Sequence, residues 1–253
     1  MPKVISVINQ KGGVGKTTTT VNLAAALGAE GHRILVVDID PQGNATSGLG
    51  INKRGIEKSV YEALIGTLPL DRAVWKTEFK NLDIVPSSLA VAGAEIEMIE
   101  LTDRQYRLRD PLVSLKQGYD FVLIDCPPSL GLLTLNALIA SDTILVPIQC
   151  EFYALEGLSQ LMNTVRQVKK NYNDRLEVEG VLMTMYDSRL NLTVQVANEV
   201  KKFFGPKVYR TTIPRNVRLS EAPSYGRPVM YYDRTSKGAK AYNELALEFL
   251  KRQ

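Results

Sequence analysis

Lys11-Gly12-Gly13-Val14-Gly15-Lys16-Thr17-Thr18 stands between an apolar β-branched run, Val4 to Ile8, and a stretch with small residues at helical spacing, Val21, Ala24, Ala25 and Gly28. Glycines at such a strand-to-helix junction let the backbone wrap an anion with its N–H groups, and the start of the following helix adds partial positive charge at the same point. The stretch therefore reads as a phosphate-binding loop in which Lys16 reaches the β and γ phosphates of a nucleotide and the Thr17 hydroxyl ligates Mg²⁺. The usual pattern fails at one position, because Gln10 occupies the place of the first glycine and Lys11 follows it. A second lysine at the outer edge of the loop either reaches a nucleotide held by another subunit or simply faces solvent, and the spacing leaves both readings open.

Outward from this loop, short β-branched runs alternate with helical periodicity. Val4 to Ile8, Ile34 to Val37, Leu82 to Val85, Phe121 to Ile124, Thr143 to Val146, Val178 to Met183 and Lys207 to Thr212 are hydrophobic without strict alternation, as strands covered on both faces are. The clearest helix spans 155 to 170, where Leu155, Leu158, Leu161, Met162, Val165 and Val168 recur every three to four residues. The pattern predicts an α/β fold, a P-loop NTPase domain over residues 1–253 with a mostly parallel, doubly wound sheet and helices on both faces. Segment 47 to 75, punctuated by Gly48, Gly50, Gly55, Gly66 and Pro69, reads as an irregular or mobile insertion. Segment 213 to 235 reads as a long connection, and connections of that length in compact α/β domains usually carry function.

Two carboxylate positions complete the site. Asp125 ends the run Phe121-Val122-Leu123-Ile124, the form of a strand that holds Mg²⁺ through water. Asp38 and Asp40 end the strand Ile34 to Val37 and lead into the turn Pro41-Gln42-Gly43, which can move when a γ-phosphate leaves. Asp40, further into the loop, is favoured as the residue that positions the attacking water and is counted with Thr17 and Asp125 among the metal candidates. Asp38 is either a supporting ligand or a strand-end residue.

Composition excludes other chemistry. The single histidine, His32, rules out His-based triads and multi-histidine metal sites. The two cysteines, Cys126 and Cys150, end apolar runs and read as small buried hydrophobes. No apolar run is long enough to cross a bilayer, and the start reads as a strand rather than a signal peptide, so a cytoplasmic location is expected. The net charge of +4 is uneven: residues 201 to 253 hold 12 Lys and Arg against four acids, a basic end that hints at a polyanionic partner.

Four motifs carry a resemblance. At Lys11 to Thr18, Asp38-Ile39-Asp40-Pro41-Gln42-Gly43-Asn44-Ala45-Thr46, Ile124-Asp125-Cys126-Pro127-Pro128-Ser129-Leu130-Gly131 and Ile213-Pro214-Arg215-Asn216-Val217-Arg218-Leu219-Ser220-Glu221-Ala222-Pro223, the chain closely resembles the ParA/Soj family of partitioning ATPases over essentially its whole length. The resemblance implies ATP and Mg²⁺ as cofactors and a deviant Walker A loop, Lys11 to Thr18, with Lys11 acting across an ATP-sandwich homodimer and Gly12 allowing close approach of the two chains. It assigns Lys16 and Thr17 to phosphate and magnesium, Asp40 to hydrolysis, Asp125 to the metal, and Pro214 and Asn216 to the adenine loop. It further implies nonspecific binding of double-stranded DNA through Arg189 and Arg218, association with the nucleoid, and a ParB-type centromere-binding partner whose basic tail stimulates slow hydrolysis. The larger plasmid members carry an N-terminal helix-turn-helix domain; here the first strand begins at residue 3, so none is expected.

Two rival resemblances make different demands. A membrane-cycling ATPase similar to MinD needs a basic amphipathic C-terminal helix, whereas the last helix here balances Lys240 and Lys251 with Glu244 and Glu248 and is expected to dock on its own domain. A reductase similar to the nitrogenase iron protein needs cluster-binding cysteines, and Cys126 and Cys150 do not stand in such contexts.

Overall fold

The computed structural model describes residues 2–253. Its strands are β1 (Lys3–Val7), β2 (Ile34–Asp38), β3 (Trp75–Lys76), β4 (Leu82–Val85), β5 (Phe121–Asp125), β6 (Thr143–Gln149) and β7 (Glu177–Thr184), and they form one sheet in the order β3-β4-β2-β5-β1-β6-β7. All neighbours run parallel except the β3–β4 pair at the edge. The helices are α1 (Lys16–Ala29), α2 (Asn44–Gly48), α3 (Val60–Ile65), α4 (Val91–Glu97), α5 (Arg109–Leu115), α6 (Leu132–Ala140), α7 (Ala154–Asn171), α8 (Asn191–Phe204), α9 (Val217–Glu221), α10 (Val229–Tyr232) and α11 (Lys237–Leu250).

The strands read as continuous apolar runs because both faces are covered. Side chains alternate between two cores: Val4, Leu35, Val37, Val122 and Ile124 enter one, beneath α3 to α8, while Ile5, Val7, Ile34, Val36 and Leu123 enter the other, beneath α1 and α11. Fully burying a side chain of this size contributes about 1.5–3 kcal/mol relative to leaving it exposed. The last helix docks on the domain as its sequence leads one to expect: Tyr242, Leu245, Ala246 and Phe249 are buried, Phe249 meets Phe121 edge to face at 5.1 Å, and the Tyr242 hydroxyl lies 3.2 Å from Thr19 Oγ1 on α1. Among the described residues no helix is long and apolar enough to cross a membrane.

Two sequence expectations need correction, and the 213 to 235 connection gains detail. Lys207 to Thr212 is not a strand: it meets β7 only through Tyr209 N–H on Val181 O, Ile213 N–H on Met183 O just beyond its end, and a bridge at Val208, because the Arg210 and Thr211 N–H groups, both at 2.8 Å, donate instead to the Glu248 carboxylate of α11. Segment 47 to 75 is more regular than its glycines suggest, since it holds α3 and the start of β3. The start of α3 is a capping box, with Tyr61 N–H on Ser59 Oγ and Ser59 N–H returned to Glu62 Oε2 at 2.8 Å. Segment 213 to 235 contains the short helices α9 and α10 joined by a 3₁₀ turn at Ala222–Tyr225, too brief to produce a readable period.

The register places the site. Val7 pairs with Asp125, and Asp125 with Asp38, so the C-terminal ends of β1, β5 and β2 lie side by side. From β1 the chain crosses to β2 on one side, and from β5 it crosses to β6 on the other; ligand crevices in open α/β sheets form where the winding reverses in this way.

Candidate nucleotide site

The loop after β1 turns through two left-handed glycines, Gly13 at φ 75° and Gly15 at φ 90°, a backbone region that other residues enter only with strain. Gly15 caps α1, so the first free N–H groups of that helix face the loop. Val14 is buried and contributes its backbone: Thr184 Oγ1 at the end of β7 donates to Val14 O at 2.7 Å and fastens the loop to the sheet. Above the loop lies a cleft of about 500 Å³, lined by Gly12, Gly13, Gly15, Lys16, Thr17 and Thr18, by Asp40, and by Pro214 and Asn216 on the opposite wall. The residues assigned from separate motifs to phosphate, hydrolysis and adenine thus share one cavity.

Lys16 is buried, and its Nζ donates to Lys11 O at 3.1 Å. Burial lowers its pKa, opposed by the charge of Asp125. Thr17 Oγ1 donates to Asp125 Oδ2 at 2.7 Å, and Thr20 Oγ1, one turn along α1, donates to Asp125 Oδ1 at 2.9 Å. The Asp125 carboxyl is raised above the ordinary range by burial first and by the charge of Asp38 second. Oxygen donors of this kind suit a hard cation. Among the described residues no group of three or more His, Cys, Asp and Glu side chains could hold a metal, so an ion here would need phosphate oxygens and water for most of its shell.

Asp38 and Asp40 separate into different positions. Asp38 is fully buried and turned into the protein, where Oδ2 accepts Thr46 N–H at 2.8 Å and Thr46 Oγ1 at 2.7 Å. It anchors the start of α2 and so holds the 40–43 turn. Asp40 reaches the cleft, and its Oδ1 accepts Gln42 N–H at 2.9 Å. Asn216 Oδ1 is buried without a hydrogen-bond partner, an acceptor suited to an exocyclic amino group of a purine. Lys11 does not enter the cleft; its Nζ pairs with Glu151 in the loop after β6. Cys126 and Cys150 are buried free thiols, and burial raises both pKa values, which keeps them unreactive.

Arg189 and Arg218 lie on the exposed surface, and each is held by acids of its own neighbourhood. Arg189 makes a two-pronged contact with Asp187 at 2.9 and 2.6 Å, and Arg218 pairs with Glu221 at 2.7 Å and Asp233 at 3.3 Å. Sequence reasoning missed Thr20, Thr46, Thr184, Met185 and Glu151. Thr20 could have been found, since it follows Thr17 by about one helical turn; the others act through partners remote in sequence. Met185 borders the cleft with φ 48°, an outlier for a long side chain.

Comparison with known proteins agrees with this geometry. Residues 2–178 match a family model described as an AAA domain. The chain is 58% identical over 248 residues to the sporulation initiation inhibitor protein Soj of Bacillus subtilis (strain 168), covering 98% of each chain. It is 52% identical over 250 residues to the chromosome partitioning protein ParA of Myxococcus xanthus (strain DK1622), covering 99% of this chain and 88% of the relative. Among solved structures, cobyrinic acid a,c-diamide synthase from Mycobacterium smegmatis with bound ATP analog and magnesium superposes with a TM-score of 0.86 at 37% identity, covering 99% of this chain and 95% of that one. Matches of 58% and 52% identity over 98–99% of this chain, joined to a cleft above the P-loop, give the conclusion that the chain belongs to the ParA/Soj family of chromosome-partitioning ATPases.

Proposed function

We propose that this ATPase is a dimerising switch that binds DNA nonspecifically while it holds ATP, and that it drives chromosome or plasmid partitioning together with a ParB-type partner on the nucleoid. One observation carries the reading: Lys16, Thr17 and Asp40 face one cleft, with Asp125 held against Thr17 beneath it. Lys16 would meet the β and γ phosphates, and Thr17 and Asp125 would hold Mg²⁺. The ion, when bound, neutralises charge on the phosphates. Asp40 would hold the attacking water. Pro214 and Asn216 would bound the adenine, with the free Asn216 acceptor facing its amino group.

Dimerisation is supported by exposed apolar side chains in the loops after β5 and β6. Leu130, in the loop after β5, and Phe152 and Tyr153, in the loop after β6, are exposed, and a Cβ on Gly12 would meet nothing within 4 Å. Lys11, half-exposed, would leave Glu151 and reach the partner's phosphates. Hydrolysis should be slow, since no glutamine or arginine finger is supplied by this chain's own motifs, and a partner commonly supplies such a group.

The test is DNA co-sedimentation and sedimentation velocity with ATP, with ADP and without nucleotide, on wild type and on Asp40→Ala. The variant should lose at least about 10²-fold in turnover, the usual share of a positioned base, yet retain a DNA-bound dimer in ATP. Monomers alone in saturating Mg²⁺–ATP, with hydrolysis blocked, would overturn the proposal.

A further inference from the structure

A second cavity is larger than the nucleotide cleft. It is an open groove of about 1110 Å³ along the outer edge of β7, floored by Val178, Glu179 and Tyr209 and walled by the end of α8, the 205–212 segment and the end of α11. Its acids are already committed. Glu179 accepts from Lys3, Gln253 and Thr143, and Glu248 accepts from Arg210 N–H, Thr211 N–H and Arg252. Lys201, Lys207, Arg210 and Lys251 also line it, all exposed, and among the described residues none of these side chains has a carboxylate partner.

That surplus contrasts with Arg189 and Arg218, whose charges are matched by Asp187, Glu221 and Asp233. A phosphate approaching those arginines competes with carboxylates that hold them, whereas the groove offers four unmatched cations at once. The floor is built for close packing: a Cβ on Gly180 would lie 2.9 Å from Lys207 O and would strike the Tyr209 ring, so only glycine lets the 207–209 segment lie against β7. Tyr209 is buried and its hydroxyl has no hydrogen-bond partner, a costly state for a donor unless something else pairs it. The groove also borders Met183, Tyr186 and Thr212, next to the Ile213–Asn216 wall of the nucleotide cleft. Ile213 N–H donates to Met183 O at 2.9 Å, and Tyr186 N–H donates to Ile213 O at 2.9 Å, so a ligand in the groove touches the strand end that carries this wall.

We propose that this groove is a second phosphate-binding site, separate from the P-loop, that takes the sugar–phosphate backbone of nucleic acid through Lys201, Lys207, Arg210 and Lys251. The choice of DNA as occupant rests on the DNA-binding reading above; the phosphate chemistry of the groove does not. The test compares wild type with a variant carrying Lys201→Gln, Lys207→Gln, Arg210→Gln and Lys251→Gln, all exposed positions, using a short duplex in Mg²⁺–ATP across a salt series. Each phosphate that the variant leaves without a cation should lower the log–log salt slope by about 0.9, so the variant should bind with a slope reduced by about 2 to 4 while its Mg²⁺–ATP affinity stays unchanged. An unchanged slope in the variant overturns the proposal even if wild type binds DNA tightly. If wild type binds no duplex in any nucleotide state, the DNA reading fails. Inorganic tripolyphosphate, titrated with the P-loop saturated by Mg²⁺–ADP, then decides the groove: weaker binding in the variant than in wild type supports it, and equal binding overturns it.

Discussion

Asp125 is fully buried, accepts from Thr17 and Thr20, and lies beside Asp38 in the β5–β2 register. Its pKa is raised by burial first and by the Asp38 charge second, so the fold favours its neutral form. A raised carboxyl stabilises fully below its unfolded value of about 3.9, and that contribution is lost as pH rises through the raised folded value. Asp125→Asn, neutral at every pH, should therefore exceed nucleotide-free wild type in stability at alkaline pH by at least about 1 kcal/mol. The gap should close on acidification, and ATPase activity should be lost; thermal denaturation at two pH values checks the first part and a phosphate-release assay the second. The proposed roles of Lys16, Thr17 and Asp125 were legible as expectations in the sequence because phosphate and magnesium call for their residue types at fixed offsets from a strand end. Thr46 and Thr184 could not, since a threonine earns its role only from a partner 8 or 170 residues away.

Elements hold the loop where single residues cannot. The Thr184–Val14 tie joins the end of β7 to the P-loop. Thr184→Val keeps the shape and removes about 1 kcal/mol of hydrogen bonding, so the dissociation constant for Mg²⁺–ATP should rise about fivefold; an unchanged fluorescence titration would show that the tie does not position the loop. At the other end of α1, a Cβ on Gly28 would fall on the carbonyl oxygen of Lys80. Gly28→Ala should cost about 1–3 kcal/mol by overpacking, visible as a fall of several degrees in the thermal midpoint without a change in nucleotide specificity. Strands buried on both faces were legible as apolar runs, and α7 through its period. Lys207 to Thr212 misled because its β-branched composition suits a strand, while its backbone donors answer to Glu248, a residue of the last helix.

At the scale of the whole molecule, the proposed dimer would close over the nucleotide cleft, and the basic C-terminal groove adjoins the Ile213–Asn216 wall of that cleft. Lys11→Ala should leave the monomer folded and able to bind Mg²⁺–ATP, yet sediment as a monomer at concentrations where wild type pairs; dimers equal to wild type would remove Lys11 from the interface. An intersubunit role for the second lysine of the loop is what the family resemblance implies, and the sequence does not show where that lysine rests when alone. It rests on Glu151, with both side chains nearly half-exposed. A contact of that kind holds by no more than about 1 kcal/mol and weakens with added ions. In the proposed cycle ionic strength would then act in opposite senses: the same salt that loosens the grip on a polyanion would unpark Lys11 and leave more chains ready to pair.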